Sequence, residues 1–109
     1  MSLQKRSTYF TQNEIMLSQL LARYYYKEVM RIVRSNHDVS YSTMEIFITF
    51  PVRYLQNTCE WLVRNGYLAS KKAGIGNFKL FNCTPLGAFM IDAIDETLAG
   101  MEEIQQSES

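Results

Sequence analysis

Residues 51–68 read PVRYLQNTCEWLVRNGYL, and this run decides how the rest of the chain is organised. Pro51 suits the first position of a helix, where its missing N–H costs nothing. Gly66 is a natural left-handed cap at the far end. Between them Leu55, Thr58, Cys59 and Leu62 recur at three- and four-residue spacing, which marks a core-facing stripe. Arg53, Asn57, Glu60 and Arg64 fall within about 60° of one another on the opposite side of the wheel, flanked by Tyr54, Gln56 and Trp61. The run predicts a helix over 51–65 with one apolar and one polar face.

Upstream, Ile48-Thr49-Phe50 reads as a turn, and Ser42-Thr43-Met44-Glu45 is a capping box that opens a short helix through about Phe47. Val39-Ser40-Tyr41 is expected to form a short strand. Thr11-Gln12-Asn13-Glu14 is an earlier capping box, from which a long helix is expected to run to about Arg34 and stop near residues 35–38. Its first half puts Leu17, Leu20, Leu21 and Tyr24 on one face. Its second half puts Ala22, Tyr25, Tyr26, Val29, Ile32 and Val33 on another, about 120° away. One helix with two apolar faces serves two surfaces, here the domain core and a subunit contact; a kink that lets both stripes enter one core is the alternative. Residues 1–10 read as a flexible arm, with Lys5 and Arg6 close to Tyr9 and Phe10.

Downstream, residues 67–72 and 78–83 read as strands joined by Ala73-Gly74-Ile75-Gly76-Asn77, a hairpin with a flexible tip. Thr84-Pro85 starts the last helix, with Thr as cap and Pro first. Met90, Ile94, Thr97, Met101 and Ile104 then form a heptad-like seam suited to packing on another helix, flanked by Asp92, Asp95, Glu96, Glu102 and Glu103. A single domain is expected over 11–105, with a disordered tail over 106–109.

The predicted order is helix, strand, helix, short turn, helix, hairpin, helix. This order resembles the winged helix-turn-helix superfamily over about residues 24–98. Leu62-Val63-Arg64-Asn65-Gly66-Tyr67-Leu68 resembles the usual exit from the recognition helix into the wing. Phe78 to Gly87 resembles the second wing strand running into the "T-x-x-G" helix start of MarR-, PadR- and ArsR-like regulators. The resemblance implies a mainly α fold with a small β-hairpin (α+β), in which the extended first helix and the last helix make the dimer contact. It also implies a dimeric, sequence-specific double-stranded DNA-binding protein acting in transcription as a repressor. Two other roles fit the same fold: a DNA-binding adaptor in plasmid, phage or viral partition, and a protein–protein module without DNA binding.

Chemistry assigns the residues within that frame. Arg53, Tyr54, Gln56 and Asn57, on the N-terminal half of the third helix, are the expected base readers. Arg can make two bonds to guanine, and Asn or Gln two bonds to adenine. Arg64, Lys71, Lys72 and Lys79 are the expected backbone contacts, acting through counterion release. Glu60 argues against an anionic partner, because a carboxylate near phosphates repels unless it accepts from a cytosine amino group. Leu17, Leu20, Leu21, Tyr24, Met90, Ile94, Met101 and Ile104 are the expected dimer contacts. Arg23, Lys27, Arg31 and Arg34 form a basic stripe open to phosphate contact, but expected rather to be solvated or paired with the acidic last helix of the same or a partner subunit.

Composition narrows the classes. The chain has 109 residues, 47% hydrophobic and 20% charged, which suits one globular domain. Its net charge of zero hides a division: all 11 Lys and Arg lie between Lys5 and Lys79, leaving +6 over residues 1–82 and −6 over 83–109. The longest stretch without a charged side chain, Leu80–Ile91, contains Pro85 and Gly87 and is too short to cross a bilayer. The start has no apolar stretch of a signal peptide, so a cytoplasmic or nucleoid-associated location is expected. An enzyme is not. His37 is the one histidine and sits in a polar turn, Cys59 faces the core, and Cys83 ends a strand. No metal site is expected from this set, Gly74-Ile75-Gly76 lacks the rest of a nucleotide fingerprint, and no cofactor is implied. A pocket for a small-molecule effector is unsupported, because aromatic residues at helical spacing are ordinarily packing.

Overall fold

Thr11 caps the first helix as its sequence suggests. Its Oγ1 accepts from the Glu14 N–H (3.1 Å), while its own N–H donates to Glu14 Oε1 (2.8 Å). This closes the capping box of α1, Gln12–Ala22. The computed structural model describes residues 10–76 and 78–108. Lys5, Arg6 and Tyr9 of the expected arm therefore lie outside the described residues, as do Asn77 and Ser109.

The expected single long helix is broken. Arg23 is extended (φ −127°, ψ 114°), and α2 runs separately from Tyr24 to Ser35. Lys27 Nζ donates to the Leu21 carbonyl across the break (2.7 Å), satisfying one of the orphaned acceptors. The break answers the problem of two stripes on one rod. Val29, Met30 and Val33 of α2 are buried, and α1 turns so that Leu20 joins the same core.

Asn36 ends α2, its Nδ2 bonded to the Ile32 carbonyl (2.7 Å). Val39 forms one antiparallel bridge to Phe81 rather than a strand. Its backbone is pinned by Val39 N–H to the Phe81 carbonyl (3.0 Å) and Phe81 N–H to the Val39 carbonyl (2.8 Å). Ser40 is then the first residue free to cap, and its Oγ accepts from the Thr43 N–H (3.2 Å). Helix α3 consequently spans Tyr41–Phe47, and the Ser42–Glu45 box expected from sequence does not open it.

After the turn at 48–50, Pro51 caps a 3₁₀ turn, Val52–Tyr54, that leads into α4, Leu55–Arg64. The expected α-helical start at Pro51 is thus a tighter turn, which carries the Tyr54 ring onto Tyr25 (centroids 5.5 Å). Leu55, Thr58, Cys59 and Leu62 are all buried, as the stripe predicts. Gly66 takes φ +81°, with its N–H on the Val63 carbonyl (3.1 Å) and the Tyr67 N–H on the Leu62 carbonyl (2.9 Å). This is the Schellman pattern, and it favours glycine.

Strands β1, Leu68–Lys72, and β2, Lys79–Cys83, pair antiparallel in the register Leu68↔Cys83 through Lys72↔Lys79. Thr84 then joins three elements. Its Oγ1 accepts from the Gly87 N–H (2.9 Å) and donates to the Gly66 carbonyl (2.6 Å), while its N–H reaches the Tyr67 carbonyl (3.2 Å). A Cβ at Gly87 would lie 2.0 Å from the Tyr67 oxygen. The T-x-x-G sequence is therefore a cap followed by a close approach, and it seats the final helix against the start of the hairpin.

That helix, α5, runs Pro85–Glu108. Residues 106–108, expected as disordered tail, continue it. Nothing after Gly100 breaks a helix, and Ser107 Oγ donates back to the Ile104 carbonyl (2.9 Å). Two ion pairs tie α5 to α2, Arg31–Asp95 (2.8 Å) and Arg34–Asp92 (2.9 Å). The opposed charges of the two chain segments thus meet within a single chain. The result is a mainly helical fold with one two-stranded hairpin.

Candidate nucleic-acid interface

The polar face of α4 is held outward by its buried opposite face. Arg53, Tyr54, Gln56, Asn57 and Arg64 are exposed, and Glu60 and Trp61 are half-buried. Arg53 lies over the Tyr54 ring (4.6 Å to the centroid) and its guanidinium donates to the Tyr54 hydroxyl (3.0 Å). Tyr54 stacks on Tyr25, and Tyr25 on buried Phe50 (4.4 Å). This column fixes the start of the face against the core. Gln56 Nε2 donates to Glu60 Oε2 (3.0 Å). One expected base reader is therefore engaged by the carboxylate that argued against the interface.

The turn before α4 is anchored by a residue that the sequence reading missed. Both Glu28 oxygens accept from Thr49, one from its N–H and one from its hydroxyl (2.8 Å). Periodicity could not reveal this bond, because Glu28 and Thr49 are 21 residues apart.

The hairpin stands beside α4. Ser70, Lys79 and Phe81 line a cleft of about 280 Å³ together with Tyr41, Glu60, Val63 and Arg64. Lys72 is the register partner of Lys79 and so shares its face. Arg64, Lys72 and Lys79 thus border one side of the hairpin. Lys71 alternates to the other side, where its Nζ pairs with Asp38 Oδ1 (3.2 Å). Asp38 (φ +50°) exchanges hydrogen bonds with Asn82, its N–H to Oδ1 (2.9 Å) and Nδ2 to its Oδ1 (2.8 Å). The Asn82 amide and then Lys71 hold the Asp38 carboxyl below the ordinary range. Three of the four expected backbone contacts are therefore grouped, and Lys71 is committed elsewhere.

The expected dimer residues divide in the same way. Leu17, Leu21, Met90, Ile94 and Met101 line one apolar groove of about 440 Å³ between α1 and α5, with Phe89, Ala93, Thr97 and Leu98. Leu20, expected at the contact from its spacing, is 0% exposed within the single chain. Tyr24 lines a separate crevice with Ala22, Arg23 and Tyr25. Ile104 is exposed, farther along α5.

Of the remaining reactive groups, Cys59 is buried, Cys83 half-buried and His37 exposed. Burial pushes the Cys59 thiol up to about 12 and raises that of Cys83. His37 Nδ1 lies 3.4 Å from Asn82 Oδ1. Among the described residues no cluster of three His, Cys, Asp or Glu could hold a metal, and no helix is long and apolar enough to cross a membrane.

No family model matches the sequence, and no curated protein does. Solved structures match the fold. MarR of Staphylococcus aureus in complex with salicylate and kanamycin superposes with a TM-score of 0.74 at 12% identity, over 93% of this chain and 68% of that one. MepR of S. aureus bound to DNA gives 0.68 at 12% identity, over 88% and 80%. A structure of MepR described as a transcription regulator of the S. aureus multidrug efflux pump MepA gives 0.69 at 12% identity, over 96% and 84%. With the short helix, turn and α4 followed by a hairpin and a long closing helix, the chain has the winged helix-turn-helix fold seen in these MarR-like regulators.

Proposed function

We propose that the protein is a homodimeric, sequence-specific double-stranded DNA-binding protein that acts as a transcriptional repressor. The observation that carries this reading is the polar face of α4, bordered across one cleft by Lys79 of the hairpin. Each protomer puts α4 in a major groove. Arg53, Tyr54 and Asn57 read base edges, and Gln56 joins them when a base edge replaces Glu60 as its partner. Arg64, Lys72 and Lys79 contact the flanking phosphates, with Lys71 held in reserve by Asp38.

The dimer uses the groove between α1 and α5. The radius of gyration, 16.5 Å, exceeds the roughly 13 Å of a compact domain this size. Helix α5 is long, its 24 residues spanning about 36 Å. Met101 and Ile104 on its distal half are exposed apolar groups that a second copy would cover. Two-fold symmetry then sets half-sites about one helical turn, ~10 bp, or a multiple apart. The working location is the cytoplasm or nucleoid, and the role needs no cofactor.

Selection of bound duplexes from a random pool, with the oligomeric state measured alongside, tests this reading. A short palindrome bound by a dimer is expected. A long tandem array would assign the partition role instead, and no enrichment even at low salt would leave a protein–protein module.

A further inference from the structure

We propose that Glu60 is a specificity-determining residue: its carboxylate accepts from the exocyclic amino group of one cytosine in the bound site, and repels duplexes that offer no donor there. The inference rests on the reading of α4 as the helix that enters the major groove.

Glu60 is the only acid between Glu45 and Asp92, a span that holds Arg53, Arg64, Lys71, Lys72 and Lys79. It lies on the same face of α4 as Asn57 and Arg64, opposite the buried Leu55, Cys59 and Leu62. A Glu four residues before an Arg on a helix is placed to pair with it. Here it does not. Glu60 borders one cleft with Arg64 and Lys79, yet the ion pairs among the described residues are Arg31–Asp95, Arg34–Asp92 and Lys71–Asp38. Its one hydrogen bond among those residues comes from Gln56 Nε2 to Oε2 (3.0 Å), which leaves Oε1 open. A surface bond of this kind contributes little to a helix. The fold therefore does not account for a carboxylate in the middle of the polar face.

The chemistry of base edges does. An ionised carboxylate only accepts. In the major groove guanine shows two acceptors, and thymine an acceptor and a methyl group. The adenine amino group stands next to the N7 acceptor. Cytosine alone offers an amino donor with no acceptor beside it on the same base. Glu60 is thus attracted at a cytosine and repelled elsewhere, and discrimination draws on both signs. The Gln56 bond ties this choice to a second base. A cytosine amino group that takes Oε2 frees the Gln56 amide for a base edge of its own. Side chains four residues apart on a helix lie about 6 Å apart, so the two bases fall within about two base-pair steps and are read together.

The test takes the duplex selected by the parent protein and replaces each cytosine in turn by pyrimidin-2-one, which keeps the ring and lacks the amino group. The parent should lose roughly tenfold or more in affinity at one such position. Glu60→Ala should show no loss there, bind a random duplex more tightly than the parent at low salt, and melt close to the parent's temperature. Glu60→Gln keeps an acceptor without the charge; it should tighten random binding to the same extent and retain part of the loss at that position. A parent indifferent to the amino group at every cytosine, or an equal loss in Glu60→Ala, would overturn the inference while leaving DNA binding intact. So would an unchanged affinity of both variants for the random duplex. A parent that binds no duplex even at low salt would overturn the underlying reading of α4 as well.

Discussion

Lys72 and Lys79 are direct partners across the hairpin, so two ammonium groups share one face of a two-stranded ribbon. Like charges placed opposite each other destabilise a sheet. The arrangement becomes favourable when a phosphate lies between them. Lys72→Thr should therefore stabilise the free protein by about 0.2–1 kcal/mol. The same substitution should weaken binding to all duplexes alike and reduce the salt slope by about 0.9. Thermal melting and a salt titration on one variant check both signs.

Asn57 projects from the open face of α4 and has the chemistry to hold adenine through two bonds. Asn57→Ala should lose about 1–3 kcal/mol of discrimination at one base pair while leaving non-specific binding near its parent value. Competition between the selected site and its single-base variants measures this.

Glu28 fixes the turn into α4 through two bonds to Thr49. Glu28→Ala leaves the exposed Thr49 N–H to water in place of its charged acceptor, and should destabilise the protein by about 0.5–1.5 kcal/mol. Specific binding should fall more than non-specific binding, because α4 loses its angle rather than its charge. Denaturant titration and the ratio of the two affinities give the two readouts.

Gly87 allows α5 to touch the Tyr67 carbonyl. A Cβ placed 2.0 Å from that oxygen forces backbone to move, so Gly87→Ala should cost about 1–3 kcal/mol. Gly100→Ala is the control, since nothing lies within 4 Å of its Cβ position. It should be neutral or stabilising by up to about 1 kcal/mol. Denaturant midpoints of the two variants should move in opposite directions or differ widely.

The pairing of α2 with α5 has a pH signature. The Arg34 guanidinium holds the Asp92 carboxyl below its ordinary 3.8. The unfolded chain therefore takes up that proton at higher pH than the folded protein does. The pair's contribution is complete above about pH 4 and is lost as the pH falls through the lower folded value. Asp38, held down by Asn82 and Lys71, acts with the same sign. Asp92→Asn should be less stable than the parent at pH 7 and show a shallower loss of stability below pH 4, read by melting across pH.

The sequence made the fold legible wherever local signals coincided. The Leu55–Leu62 stripe, the Gly66 cap and the Thr84-Pro85 start each combine periodicity with backbone chemistry, and the elements lie where these place them. The errors came from tertiary contacts. The break at Arg23 has no Gly or Pro to announce it; two apolar stripes on one rod were its only trace. Ser40 displaced the Ser42 box because Phe81, some 40 residues on, pins Val39. The site was legible as residue types on a face, since exposure follows from the wheel. Partner choice was not: the Lys71–Asp38 and Gln56–Glu60 pairs depend on side-chain reach, and Leu20 changed surfaces when the helix bent.

The central claim is that the outer face of α4 and the lysine side of the hairpin meet one duplex together. Backbone amide resonances of the labelled protein, followed as the selected duplex is added, test it most directly. The account predicts shifts concentrated in residues 53–64 and 70–79, with α1 and the distal half of α5 unmoved. Shifts confined to α1 and α5, or none at low salt, would contradict it.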